Sequence, residues 1–164
     1  MNLASTLLLL AAAVIVAPAW AHGEAKHDGK EARRISIEEH AFGRQGDSKK
    51  ATRTIDVQMS DKMRFTPAVV EVKQGETVRF RVKNDGRVMH EMVIGTMDEL
   101  KKHADMMKKH PGMEHDEPYM AHVAPGKTGT VVWQFTKQGE FHFGCLVPGH
   151  FEAGMVGSIK VVSR

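Results

Sequence analysis

Three side chains that can bind a soft metal ion occur at intervals of five residues near the end of this 164-residue chain: Cys145, His150 and Met155. The segments on either side, residues 139–144 and 156–162, are bounded by Gly or Pro and predict β-strands. A cysteine at the end of one strand, a histidine in the loop and a methionine at the start of the next strand can converge, because the loop folds back between neighbouring strands. The spacing therefore predicts a β fold with donor atoms grouped at one end.

The donor types indicate copper. A thiolate, imidazoles and a weak axial thioether form the trigonal His2Cys site of a type 1 copper centre. The chain has 11 Met and 10 His but a single Cys, a mixture that suits both oxidation states of copper. The missing imidazole is expected from His90, which follows a turn and precedes an apolar strand. We therefore predict one type 1 copper ion bound by His90, Cys145, His150 and Met155.

Period-two alternation of apolar residues predicts a sandwich of seven or so short strands, expected to be antiparallel. The predicted strands lie at residues 52–59, 69–73, 77–83, 92–94, 129–135, 139–144 and 156–162. In the third of these, Val78, Phe80 and Val82 are expected to face the core. The fold class is therefore all-β, with a helical insert and a flexible N-terminal tail.

The insert, at about residues 97–122, is rich in Met and His. Helix formers fill residues 98–110, and Pro and Gly follow at once, which predicts a helix. His103, Met106, Met107 and His110 fall at helical spacing on one stripe, which is either a core-facing face or part of an auxiliary, exchangeable copper site. Met113 and His115 extend this auxiliary candidate.

The N-terminal sequence has a pattern that is typical of an export signal. An apolar run followed by a small-x-small motif predicts a signal peptide at residues 1–21, which places the mature protein in the periplasm without a membrane anchor. Residues 22–50 are predicted to be a flexible tail, and residues 51–164 the folded domain. His22 would then be the mature N-terminus, where its amine and imidazole are a further candidate Cu(II) site. In an exported chain, a lone Cys145 indicates an intermolecular disulfide, a free thiol or a metal-bound thiolate, and the spacing to His150 and Met155 favours the metal.

Four segments and two single residues carry a resemblance to a known protein family: residues 65–67, 72–78, 139–141 and 145–155, together with Asn84 and His90. In these segments the chain resembles the plastocyanin/azurin family of cupredoxins, over roughly residues 52–162. The resemblance implies a Greek-key β-sandwich with copper at one end, and it carries the ligand positions to the four residues named above. The leader, the tail and the Met/His-rich insert resemble, more narrowly, the CopI-type periplasmic copper-tolerance cupredoxins.

Several function classes remain to be compared. A net charge of +3, scattered along the chain, gives no case for nucleic acid. An enzyme is disfavoured, because multicopper oxidases flank this cysteine with histidines, whereas Gly144 and Leu146 flank Cys145. Copper tolerance, by capture and redox handling of copper, is favoured because the extra Met and His serve metal trapping. The alternative is a mobile electron carrier with a periplasmic redox partner. A monomer is expected.

Overall fold

Short strands dominate the chain, as the alternation of apolar and polar residues predicts. The computed structural model describes residues 37–113 and 115–164, and within these ranges it contains eleven strands, one α-helix and one short 3-10 helix at Ser48–Lys50. In chain order the strands and the α-helix are β1 (Glu39–His40), β2 (Gly43–Gln45), β3 (Arg53–Ser60), β4 (Arg64–Thr66), β5 (Val69–Lys73), β6 (Thr77–Asn84), β7 (His90–Gly95), α1 (Met97–Lys109), β8 (Met120–Val123), β9 (Thr128–Gln134), β10 (Gly139–Gly144) and β11 (Val156–Val162).

The strands form two packed sheets, with the orders β1-β2-β9-β6-β3-β4 and β5-β11-β10-β7-β8. The predicted all-β sandwich with a helical insert is confirmed. The expectation of purely antiparallel pairing is wrong, because β3 runs parallel to β6 and β5 runs parallel to β11. Between β3 and β6 the chain passes through β5 in the opposite sheet, so it returns to its first sheet in the same direction.

The core lies between the sheets and follows the predicted alternation. In β6, Val78, Phe80 and Val82 are fully buried, while Arg81 and Lys83 point to solvent. Burying such side chains stabilises the fold by about 1.5–3 kcal/mol each.

Strand β7 is buried on both faces, because α1 covers the outer side of its sheet. Leu100 and Ala104 of the helix pack against Val93 of β7 and Leu146. The helix begins with a capping box, in which Thr96 accepts from the backbone N–H of Glu99 and the Glu99 carboxylate accepts from the backbone of Thr96. None of the helices in the described ranges is both long and apolar enough to cross a lipid bilayer.

The sequence places the boundary between tail and domain after residue 50, and the strands of the structure begin earlier, at Glu39. Strand β2 pairs with β9 at the edge of the first sheet. Phe42 is 3% exposed and stacks on Trp133, whose indole N–H donates to the Phe42 carbonyl over 2.8 Å. One buried ring and backbone pairing hold this hairpin, and neither produces an apolar periodicity. Residues 1–36, including the predicted signal peptide and His22, lie outside the described residues.

Candidate metal centre

His90 is held at one end of the sandwich by the turn that precedes it. It opens β7 and its side chain is fully buried. Asn84, also fully buried, donates its amide to the carbonyls of Val88 and Val123, both over 2.8 Å, and accepts from the backbone N–H of Gly86. The turn that carries His90 is therefore tied to the end of β6 and to β8.

Cys145 follows β10 directly and lies at the same end. Its backbone N–H donates to the Met155 carbonyl over 3.1 Å, and its Sγ accepts from the backbone N–H of Glu91 over 3.4 Å. Burial raises the pKa of the Cys145 thiol to about 12. Without a metal ion the thiol is therefore protonated at neutral pH, and a bound cation has to displace that proton.

The loop between Cys145 and Met155 closes on itself through backbone hydrogen bonds. The His150 N–H donates to the Val147 carbonyl over 2.9 Å, and the Met155 N–H donates to the His150 carbonyl over 3.0 Å. The Arg64 guanidinium anchors the loop from β4 by donating to the Ala153 carbonyl over 2.8 Å. These bonds place His150 beside Cys145 rather than in solvent.

The three predicted donor atoms of His90, Cys145 and His150 all lie within 4.8 Å of one another. The Cys145 Sγ is 3.3 Å from the His150 Nδ1 and 3.9 Å from the His90 Nδ1. An ion with bonds of about 2.0 Å to nitrogen and about 2.3 Å to sulfur, at angles of about 120°, separates N from S by about 3.7 Å. The two observed distances bracket that separation, so the donor set fits a trigonal metal ion.

Met155, the predicted axial ligand, is fully buried in the same core cluster as Cys145. Its backbone bonds to both Cys145 and His150, so the start of β11 is fixed beside the other three residues. The structure thus brings all four predicted ligand residues to one end of the sandwich.

The imidazoles of His90 and His150 can each offer a ring nitrogen lone pair to a metal ion. Burial, followed by the neighbouring His90, lowers the pKa of His150, so its ring is neutral near pH 7. The other ring nitrogen of His90, Nε2, lies 3.1 Å from the Asp61 carboxylate. A proton on Nε2 that is donated to Asp61 leaves the Nδ1 of His90 free to face Cys145. Sequence reasoning missed Asp61, which lies 29 residues away in another turn.

The predicted auxiliary residues of the insert are only partly brought together. Leu100 and Ala104 take the buried face of α1, so the proposed stripe does not face the core. Met106 is 40% exposed, and His110 is an exposed residue at the end of the helix. His103 is half-buried, and its ring centroid lies 4.8 Å from that of His115.

A cavity of about 520 Å³ collects other soft and borderline donors of the insert beside the candidate copper centre. Its lining includes Met107, Met113, His115, His122, Glu91 and Asp116, and also Met89 and Pro148. The Nδ1 of His115 is buried and has no hydrogen-bond partner among the described residues. Burial, followed by the charges of His115 and His122, lowers the pKa of His103, which favours the neutral, metal-binding form of its ring.

Glu91 links this cavity to the candidate centre. Its carboxylate accepts from the backbone N–H of Leu146, next to Cys145, over 2.8 Å, and its other oxygen lies 2.9 Å from the Nε2 of His122. Burial raises the pKa of Glu91, and the adjacent His122 opposes the rise. The His122 Nδ1 in turn lies 3.3 Å from the carboxylate of Asp116.

A two-sheet β-sandwich with the buried His90 and Cys145 and the half-buried His150 grouped at one end defines a cupredoxin. The resemblance drawn from the sequence is confirmed: the chain belongs to the copper binding proteins of the plastocyanin/azurin family, whose model matches residues 51–162.

Curated relatives carry a more specific name. The chain is 52% identical over 120 residues to the copper-resistant cuproprotein CopI of Rubrivivax gelatinosus, covering 73% of each chain. It is 37% identical over 150 residues to the protein of the same name from Pseudomonas aeruginosa, covering 74% of this chain and 82% of that one.

Solved structures agree on the fold. The auracyanin of Roseiflexus castenholzii superposes with a TM-score of 0.59 at 21% identity, covering 68% of this chain and 98% of that one. Auracyanin B superposes with a TM-score of 0.60 at 18% identity, covering 77% and 98%.

Proposed function

We propose that this chain binds one type 1 copper ion through His90, Cys145 and His150, with Met155 as the axial ligand, and acts in copper tolerance. The observation that carries the proposal is the grouping of three donor atoms within 4.8 Å at one end of a cupredoxin sandwich. Copper bound by such a set exchanges single electrons readily, because thiolate and thioether suit Cu(I) while imidazole suits both states.

The chain's own residues supply the rigidity that this chemistry needs. Cys145 and His90 are fully buried, and backbone bonds fix both ends of the ligand loop. Because these donor atoms are held in place, their positions change little when the copper ion changes oxidation state. Electron exchange therefore requires little reorganisation. The role in tolerance is supported by the name of the relatives, copper-resistant cuproprotein, and by the extra Met and His of the insert.

The second part of the proposal is that the insert holds a further copper ion, as cargo, in the cavity lined by Met107, Met113 and His115. Thioethers and neutral imidazoles are ligands suited to Cu(I). The support is the buried Nδ1 of His115, which lacks a partner within the described residues, and its position beside the two methionines. His103 adjoins this group through its ring contact with His115.

The proposal further places the protein in the periplasm as a monomeric binding protein rather than an enzyme. The periplasmic placement rests on the export signal predicted at residues 1–21. Expression of the full chain with its own leader should release a protein that begins at His22 and is recovered by osmotic shock. Recovery of uncleaved protein from the membrane fraction would contradict this placement, and the mature N-terminus would then not be His22.

The absorption spectrum of the copper-loaded protein tests the type 1 site. A strong thiolate-to-copper charge-transfer band is expected, which Cys145→Ser abolishes and His150→Ala shifts or weakens. His40→Ala is the matched control, because His40 packs against Phe42 and Tyr119 and is not among the grouped donors. A wild-type protein with no such band, or a band that survives in Cys145→Ser, would rule out the proposed site.

Titration of the apoprotein with Cu(I) tests the cavity. The expected stoichiometry exceeds one, and a Met107→Leu, His115→Ala double variant should lose the additional equivalent while keeping the type 1 band. The matched control is Met106→Leu with His110→Ala, which lie in the same helix and directly after it but outside this cavity's lining. A stoichiometry of one, or equal losses in both double variants, would remove the second site.

A mobile electron carrier is the second candidate function, favoured by apolar exposure near His90. Val88 and Met89 are 45% and 44% exposed, although such side chains are usually buried. They could form an apolar docking surface for a redox partner. A deletion strain separates the two functions: loss of copper tolerance with normal respiration supports tolerance, and the reverse supports the carrier.

A further inference from the structure

Asp61 lies in the turn between β3 and β4, outside the ligand loop and outside the turn that carries His90. Its carboxylate nevertheless reaches the buried ring of His90, with 3.1 Å between Oδ1 and Nε2. The same carboxylate accepts from the backbone N–H of Arg87 over 2.8 Å. The side chain of Asp61 is 40% exposed, whereas that of His90 is fully buried, so the carboxylate lies between the ring and solvent.

The approach of this carboxylate depends on a neighbouring glycine. A Cβ built on Gly86 would overlap the Asp61 carboxylate and come within 3.1 Å of the His90 Nε2. Gly86 is itself fixed, because its N–H donates to the Asn84 side chain. The turn before His90 is thus shaped to admit a carboxylate against the ring.

The carboxylate is anionic near neutral pH. A hydrogen bond from Nε2–H to an anion does more than fix the tautomer. It increases the electron density that the imidazole offers through Nδ1, and carboxylate partners of metal-bound histidines act in this way.

We propose that Asp61 is a positioning residue of the copper centre, which holds His90 with Nδ1 facing Cys145 and makes it a stronger donor, so that Cu(II) is favoured over Cu(I). This inference rests on the proposed copper function. Its direct consequence is a lower reduction potential than a neutral partner would give. The carboxylate touches only the outer nitrogen of the ring and is not itself a ligand.

Asp61→Asn removes the charge but keeps the shape and an oxygen acceptor. Changes to such outer partners alter metal affinity by about 10–100-fold. If the loss falls mainly on Cu(II), the ratio of Cu(II) to Cu(I) affinity falls by the same factor. For a one-electron couple each tenfold change is about 59 mV, so the potential should rise by about 60–120 mV.

The experiment is a redox titration of the copper-loaded protein, followed by its charge-transfer band, for wild type, Asp61→Asn and Asp85→Asn. Asp85 is the matched control, because it carries the same charge in the turn before His90 but pairs with Lys83 instead of the ring. The inference predicts a raised potential in Asp61→Asn alone. Equal potentials in the two variants would overturn it and reduce Asp61 to a brace of the turn.

A second measurement, on the wild type, tests the inference even if Asp61→Asn folds poorly. In the Cu(I)-loaded wild type, which is diamagnetic, the Nε2–H proton of His90 should be visible by NMR and protected from exchange with solvent. A His90 ring that carries its proton on Nδ1 would overturn the inference without any substitution. Failure of the proposed function is distinct, since wild type would then show no charge-transfer band at all.

Discussion

Asn84→Ala should destabilise the copper-free protein strongly, although the Asn84 side chain forms no hydrogen bond to the proposed ligands. Its side chain makes three hydrogen bonds, each 2.8 Å long, to Val88, Val123 and Gly86. Because Asn84 is 0% exposed, water cannot replace these bonds without entering the core. The substitution leaves two carbonyl groups and one N–H without their partner.

The structure gives the magnitude. Each net hydrogen bond contributes about 1 kcal/mol, and a buried group left without a partner costs about 1–3 kcal/mol. Three bonds therefore predict a loss of at least about 3 kcal/mol in the free energy of unfolding. Asn84→Asp should cost more, because it keeps only the acceptor for Gly86, loses both donated bonds and buries a charge.

Urea unfolding of the copper-free protein measures this loss through the transition midpoint, provided that the slope is unchanged. Gln138→Ala is the matched control, because its amide also donates a hydrogen bond, to Gln74, but at an exposed position. The control should lose less than about 0.5 kcal/mol. If Asn84→Ala behaved like Gln138→Ala, the buried amide would not be what holds the turn before His90.

Three further outcomes are expected. Phe42→Ala should cost about 3–5 kcal/mol in urea unfolding, because the ring is buried against Trp133; a loss below about 1 kcal/mol would show that the N-terminal hairpin is not docked. Gly157→Ala should cost about 1–3 kcal/mol in the same assay, because a Cβ there overlaps the Phe143 ring, and an unchanged midpoint would refute this. The raised pKa of the Cys145 thiol, about 12, means that Cu(I) binding releases its proton, so affinity should rise with pH by about tenfold per unit between pH 7 and 9; competition titrations measure it, and an equal slope in Cys145→Ser would contradict it.

The ligand loop was predictable because its information is local. Cys145, His150 and Met155 lie within eleven residues, and the strands on both sides were visible from composition and alternation. His90 could be found because one imidazole was missing and it precedes an apolar strand. Asp61 and Glu91 could not be assigned in this way, because their roles depend on which turns and strands meet in the fold.

Two differences between the expectations and the structure have a common cause. Sequence periodicity reports side-chain burial, whereas β1 and β2 join the sheet mainly through backbone pairing and a single ring, Phe42. On the helix, periodicity identified a Met/His stripe but could not tell which face packs inward. Leu100 and Ala104 occupy that face. His103 and Met106 therefore line one cavity, whereas Met107 lines another.

The insert packs onto the end of the sandwich that carries the candidate metal centre. Leu100 and Ala104 cover Leu146, the residue after Cys145, and the Glu91 carboxylate joins the Leu146 N–H to His122. Deleting the insert would therefore expose Leu146 and remove one partner of a buried carboxylate, and both changes would disturb Cys145. A loss of copper tolerance after such a deletion would not identify a second metal site. Point changes at Met107 and His115 separate the proposed metal binding in the cavity from support of the candidate centre, because they leave Leu100, Ala104 and Glu91 in place.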